Sequence, residues 1–403
     1  MAPRKATKIV FLLIIQMSSC ASSASSNFSN STASNQIQSS CQTSKISARG
    51  IGITVFLILV IVVAVVGNVI VIAGILYSSS LRSQVTNYFI ISLAVSDILI
   101  PLIVLPFRIM TAIKNGSFCS TDIACKTVLV LSTYFDIASI TNILIISIDR
   151  FIAVSFPLKY SSIISEKRAL ASIAFVWLYS ATWAGLGIFD WRSPNRIALK
   201  SLVIRGAVRC GIENKYYWVS VYTIVLLVPL FAIGIIYLVI LHEALKHVRA
   251  IGALEVELKR ECKTARRRRM KQFNSMKSVS VVYGAFLVCW LPSCVITLHA
   301  LLNEKWWSRF QREHPDLFHA MYYLFILILP PLNCTLNPFI YSLLHKNFRT
   351  AFSFTVHRML GKRFNRRLTE TSFKNSYEIK SKRKRDASKS YGVGEDGTEE
   401  HKF

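Results

Sequence analysis

Two carboxylates stand where a carboxylate is costly to bury. Asp97, in Leu93-Ala-Val-Ser-Asp97, and Asp136, in a stretch that also holds Ser132, Thr133, Ser139, Thr141, Asn142 and Ser147, both lie inside long apolar runs. An ionisable side chain so placed needs polar partners and marks a site. For Asp97 the candidate partners are Asn68, Ser139, Asn333 and Asn337, and one state open to it is a neutral, hydrogen-bonded acid. Ser132, Asp136 and Ser139 follow at spacings of four and three, so they share one helix face. A charged Asp136 suits a cationic group of a ligand, whereas a protonated Asp136 only extends the polar network of Asp97. Arg108 points the other way, to an acidic ligand. The same polar stretch ends in Asp149-Arg150-Phe151. Trp290-Leu-Pro292 sets a bulky ring beside a helix-bending proline, a pairing that can couple a ligand to the bend.

What must hold these residues is a set of membrane-crossing helices. Of 403 residues 52% are hydrophobic, and 48 Lys+Arg against 21 Asp+Glu give a net charge of +27; mean hydropathy is +0.43. High hydrophobicity with a large positive charge means apolar spans with basic flanks. A nucleic-acid binder shares the charge but not the long charge-free runs. Those runs fall at about 50–77, 88–113, 125–156, 169–190, 216–242, 279–302 and 317–344. Most exceed the ~20 residues that cross a ~30 Å hydrocarbon core. Each must be helical, because hydrocarbon offers backbone amides no other partner. The third run is too polar to face lipid and belongs at the centre of the bundle. Pro229, Pro292 and Pro338 lie inside runs, where each removes a backbone bond and bends its helix.

The first residues are basic, then apolar from Ile9 to Ile15, then small, which reads as a signal peptide over 1–24. Residues 25–49 are Ser- and Asn-rich and predicted disordered, with Asn27 and Asn30 as glycosylation acceptors; Asn115 is a third. Arg82, Lys159, Lys167, Arg168, the 246–277 loop with Arg266-Arg-Arg-Arg269, and the tail are basic, which assigns them to the cytoplasm. A signal peptide and seven crossings give the same orientation, although the 191–215 loop, placed outside, is basic too. The seven-helix domain is expected over 50–344, an amphipathic helix over 345–358 and a disordered tail over 359–403, whose Lys382-Arg-Lys-Arg385 suits anionic lipid. Among 9 Cys, Cys262, Cys289, Cys294 and Cys334 read as free thiols, and Cys41, Cys119, Cys125 and Cys210 fall outside, where disulfides persist. From Cys125 to Arg150 is 25 residues, roughly 37 Å of helix, so the two stand at opposite surfaces. Cys210, in the next external loop, is the natural partner of Cys125, with Cys119 competing.

The chain resembles the rhodopsin-like class of G-protein-coupled receptors across all seven runs. The resemblance rests on Gly67-Asn68, Leu93-Ala-Val-Ser-Asp97, Cys125, Asp149-Arg150-Phe151 with Pro157-Leu158, Trp177, Pro229 with Tyr237, Phe286 four residues before Trp290-Leu-Pro292, and Asn337-Pro338-Phe-Ile-Tyr341. One such motif is weak; this set, in this order, is specific. It implies an all-α membrane protein, a seven-helix bundle that is not an enzyme, binds an extracellular ligand at the plasma membrane and activates a heterotrimeric G protein. It implies further that Asp149 holds Arg150 until activation, that Tyr237 and Tyr341 support the freed state, and that a sodium ion sits near Asp97. Arrestin and receptor kinases are implied as partners of the tail.

Several positions depart from the family's subgroups. Amine receptors carry an Asp at the position of Ser132; here the acid is Asp136, one turn deeper. Ser293 and Cys294 replace their aromatic pair, and Val221 and Val225 their hydroxyls. The seventh run has no Lys, which excludes a retinal Schiff base, and it carries an unusual Pro330-Pro331. Tyr222, Trp290 and Thr297 are expected to line the pocket with Ser132 and Asp136. Cys334 replaces a hydroxyl of the sodium site, Gln272 replaces an acid that restrains Arg150, and no Cys after Cys334 is left for palmitoylation. A transporter or channel is the rival reading but would show internal repeats with interrupted helices, which are not seen. A non-signalling decoy is disfavoured by the intact Asp149-Arg150.

Overall fold

The apolar runs are helices in the computed structural model, which describes residues 48–113, 122–190, 193–197, 199–204, 207–212, 214–255, 283–344 and 346–359. The segment assigned to a signal peptide, Asn27, Asn30, Cys41, Asn115, Cys119, Cys262, Arg266–Arg269, Gln272 and the tail beyond Met359 lie outside the described residues. So do the side chains of Cys125, Cys210 and Tyr341.

Among the described residues seven helices are long and apolar enough to cross a membrane: Gly50–Tyr77, Thr86–Met110, Lys126–Ser155, Glu166–Leu186, Lys215–Glu243, Tyr283–Leu302 and Pro315–Ile340, here α1 to α7. A further helix after the seventh span, here α8, covers Lys346–Met359. The chain is a multi-pass membrane protein with the expected seven-helix architecture. The fourth helix sits earlier than the apolar run suggested. Ser165 caps it by accepting a bond from the Arg168 backbone N–H, so the charged Glu166-Lys167-Arg168 forms its first turn. Its far end gives way at Gly187, and Phe189–Asp190 becomes a strand instead.

That strand, β1, pairs antiparallel with β2 (Ser193–Ile197), and β3 (Leu199–Ile204) pairs with β4 (Ala207–Ile212) with Ser201 opposite Cys210. The β3–β4 hairpin packs on the helix that holds Cys125. The reading of apolar runs did not foresee either hairpin.

α3 is the central helix, touching α2, α4 and α5, while α1 packs on α2 and α7. Its burial follows from its polarity: Thr133, Ser139, Thr141, Asn142 and Ser147 are all buried among protein neighbours. Apolar side chains on the outer faces, such as Phe231, Leu238 and Leu178, are 63%, 68% and 69% exposed, as befits surfaces whose solvent is lipid. Three helices carry a widened turn next to proline: Ile100–Val104 around Pro101, Val221–Leu227 just before Pro229, and Tyr322–Ile328 just before Pro330-Pro331. These local bulges are where proline has removed a ladder bond. α1 and α7 approach closely where Gly67 meets Pro338: a Cβ at Gly67 would stand 3.0 Å from the proline ring.

Candidate functional site

Prolines in α7 leave two backbone carbonyls without a helical partner, and each is taken by a side chain of the candidate site. Pro338 has no N–H for the carbonyl of Cys334, four residues earlier; Asn68 Nδ2 donates to that oxygen at 2.9 Å and to Ala64 O at 2.9 Å. Pro330 and Pro331 together deprive the Ile326 carbonyl of a partner at either four or five residues. Arg108 Nη1 reaches across from α2 to donate to it at 3.4 Å. Asn68 is therefore a clasp between α1 and α7, while Arg108 is fixed at the mouth of a cavity.

That cavity is narrow, about 10 Å³ or room for little more than a water molecule, and is lined by Ile100 and Arg108 of α2, Asp136 and Ser139 of α3, Trp290 of α6, and Pro330, Pro331, Asn333 and Cys334 of α7. Ser132 Oγ donates to Asp136 Oδ2 at 3.4 Å, as their shared helix face requires. Arg108 stands close enough to act electrostatically on Asp136. Tyr222 lies beside Thr297 and within electrostatic reach of Asp136 and Arg108, so these two extend the site between α5 and α6. The Trp290 indole Nε1 is buried with no hydrogen-bond partner among the described residues, although its ring lines the cavity.

One turn further in lies Asp97, fully buried. Ser139 Oγ donates to its Oδ1 at 3.2 Å and Asn337 Nδ2 to its Oδ2 at 2.6 Å, tying α2 to α3 and α7. Cys334 is a free, buried thiol beside it. Of the partners read from sequence, Ser139 and Asn337 bond Asp97, Asn68 bonds backbone instead, and Asn333 lines the cavity.

At the other end of α3, Asp149 is 1% exposed and accepts three donors: Thr86 Oγ1 at 2.8 Å, Tyr160 Oη at 2.8 Å and Arg150 Nη2 at 3.1 Å. Burial pushes the Tyr160 hydroxyl above its ordinary range, so it keeps its proton and stays a donor. Tyr237 Oη and Ser147 Oγ are 3.0 Å apart, and the Tyr237 ring packs on Tyr283 with centroids 5.3 Å apart. Tyr283 Oη donates to the Leu230 carbonyl at 3.1 Å. It fits only because residue 234 is glycine: a Cβ there would stand 2.5 Å from the hydroxyl.

The sequence reading had Asp149 and Arg150 together, but Thr86, Tyr160 and Tyr283 escaped it. No motif marks them, since each works across helices. The partner of Arg108 was half legible: counting four back from Pro330 names the orphaned carbonyl, though not the side chain that answers it. Phe286 stands one turn before Trp290 and Pro292 two residues after it, with the Phe286 and Trp290 rings 6.4 Å apart. Trp177 Nε1 donates to Ser92 Oγ at 3.1 Å, joining α4 to α2.

Residues 67–341 match the profile of the seven-transmembrane receptors of the rhodopsin family. The histamine H2 receptor of Cavia porcellus is 31% identical over 306 residues, 74% of this chain and 78% of that receptor. The human adenosine A2a receptor is 30% identical over 301 residues, 72% and 68% of the two chains. A D(1)-like dopamine receptor of Takifugu rubripes is 28% identical over 340 residues, 75% and 70%. The relatives are receptors, not enzymes, and they span amine and adenosine recognition. With this profile, these relatives and seven helices on which the motifs converge, the chain belongs to the rhodopsin family of G-protein-coupled receptors, cell-surface proteins that bind an extracellular ligand and activate a heterotrimeric G protein.

Proposed function

We propose that a small extracellular molecule occupies the cavity between Arg108, Asp136 and Trp290, and that its contact with Trp290 biases α6 so that Arg150 leaves Asp149 and meets the G protein. One observation carries this reading. A single apolar cluster runs from Cys294 and Trp290 through Phe286, Leu230 and Ile233 to Tyr237, with Tyr283 and Phe151 packed against it. Packed cores rearrange between discrete states rather than deform smoothly, so a shift at Trp290 can reach Tyr237 and Arg150. The small molecules in the relatives' names, histamine, adenosine and dopamine, support a ligand of that size.

In this reading the N-terminus and the hairpin loop face outside, the basic loops and tail face the cytoplasm at the plasma membrane, and a Cys125–Cys210 bond pins the hairpin over the cavity. Arrestin and receptor kinases would meet the basic tail. A sodium ion would be held by Asp97 and Ser139, whose hard oxygens suit it. Cys334 offers only a soft sulfur, so water must complete the shell and the site is weak.

The test is a panel of amines, nucleosides, peptides and lipids applied to cells expressing the receptor, with G-protein activation as readout. Arg150→Ala should abolish signalling by any agonist found while leaving its binding intact. Trp290→Ala should weaken the agonist by at least about tenfold. Full signalling by Arg150→Ala, or an agonist indifferent to both Trp290 and Asp136, would sink the reading.

A further inference from the structure

Two opposite charges face one small cavity without being joined. Arg108 spends one of its five N–H donors on the long bond to the Ile326 carbonyl, and among the described residues no ion pair links it to Asp136. Among the described residues Asp136 receives only the weak 3.4 Å bond from Ser132. Trp290 lines the same space, and its Nε1 is a buried donor with no acceptor among the described residues. The cavity thus holds unmet donors on the α2 and α6 sides and an unmet acceptor on α3.

Unpaired charge at such depth is costly until something compensates it. A simple amine answers Asp136 but leaves Arg108 and Trp290 unmet, and the guanidinium repels it. A simple carboxylate answers Arg108 and Trp290 but meets the repulsion of Asp136. A molecule carrying an ammonium and a carboxylate a few bonds apart answers all three, and its own net charge is zero. We propose that the ligand is a small zwitterion of α-amino-acid type, its carboxylate held by Arg108 and the indole N–H and its ammonium by Asp136. The proposal rests on the reading of this cavity as the ligand site. It also accounts for Pro330-Pro331: by orphaning the Ile326 carbonyl they give Arg108 a fixed seat, so the guanidinium is positioned rather than free to fold onto Asp136.

Matched pairs that differ only in the carboxylate test it: the twenty common amino acids, with histidine against histamine and tyrosine against tyramine. G-protein activation is read in cells expressing wild type, Arg108→Ala, Arg108→Lys and Asp136→Asn, with surface level measured by antibody label. In wild type an amino acid should act at a concentration at least about tenfold below that of its decarboxylated amine. Arg108→Ala should remove that preference. Arg108→Lys, which keeps the charge but loses the fork, should retain part of it and guards against a folding artefact. Asp136→Asn should weaken both members of a pair. An amine that outperforms its amino acid, an unchanged preference in Arg108→Ala at normal surface level, or silence of all amino acids beside a response to an amine or nucleoside overturns the zwitterion. In those cases the cavity itself still stands if Trp290→Ala and Asp136→Asn weaken the active compound. If neither variant affects any agonist, the cavity reading falls and the zwitterion with it.

Discussion

Asp149 shows how little of a restraint needs to be an ion pair. Its carboxylate is nearly sealed from solvent and takes Thr86 and Arg150 on Oδ2 and Tyr160 on Oδ1, so Arg150 shares its oxygen with one hydroxyl and the carboxylate's charge with two. The two hydroxyl oxygens stand 3.1 Å apart, so either can turn its single proton to the other only by giving up its bond to Asp149. Tyr160→Phe removes one donor to a buried charge, a loss of about 1.5–3 kcal/mol if the site cannot rearrange. Asp149 should then hold Arg150 more tightly, because one donor fewer shares the carboxylate's charge, and ligand-free signalling should fall. A rise in basal signalling at equal surface level would show instead that Tyr160 positions Asp149 as part of the restraint. The bond has a definite pH sense. Since the phenol's proton is held above its ordinary range, the donor is intact at every pH below about 10 and is lost only as pH rises past its raised value. Activity changes between pH 6 and 8 cannot be traced to Tyr160.

At the scale of helices, proline sets the joints and other side chains bridge them. Pro330-Pro331 and Pro338 each free a carbonyl, and Arg108 and Asn68 each claim one, so α7 is stitched to α2 and α1 at the very points where its own ladder is broken. The arithmetic of the orphaned carbonyls was available in the sequence, and so were the spans, the central polar helix and the shared face of Ser132 and Asp136. The answering side chains were not, because the period of one helix says nothing about which neighbour lies against it. The two hairpins were hidden for a related reason: their strands are short and carry no legible alternation, and β3–β4 is placed by its packing on α3. Tyr283 is the clearest case. Its hydroxyl crosses from α6 to the Leu230 carbonyl of α5 through the notch at Gly234, and its ring lies on Tyr237. An outward swing of α6 must break that bond. Tyr283→Phe should therefore raise ligand-free signalling about fivefold, the equivalent of roughly 1 kcal/mol for one hydrogen bond. Gly234→Ala should do the same by filling the notch, and the double variant should add little, since both remove one interaction. Additive effects would mean that Gly234 and Tyr283 act separately.

For the molecule as a whole, the two ends must exchange free energy through the middle. A ligand that favours the G-protein-bound arrangement must itself be bound more tightly when the G protein is present, by the same factor. Couplings of this kind run to about 1–3 kcal/mol, or 5- to 150-fold in affinity. The middle of this bundle is Asp97, fully buried and bonded at once to α3 through Ser139 and to α7 through Asn337. It lies between the cavity that shares Ser139 and the helix end that carries Arg150. Asp97→Asn keeps the size of the side chain and one carbonyl acceptor but removes the negative charge and turns one oxygen into a donor facing the Asn337 amide. That contact then sets donor against donor and must rearrange. The expected result is a receptor that still reaches the surface and still binds its agonist, but whose agonist affinity no longer rises when G protein is added. Agonist binding in wild type should also depend on sodium concentration, and that dependence should vanish in the variant, because a neutral amide offers a monovalent cation no counter-charge. Radioligand competition in membranes, with and without purified G protein and across a sodium series, reads both effects. If the G-protein-induced gain in affinity survives Asp97→Asn undiminished, the polar centre is a structural clasp and the coupling runs through the apolar cluster of α3, α5 and α6 alone.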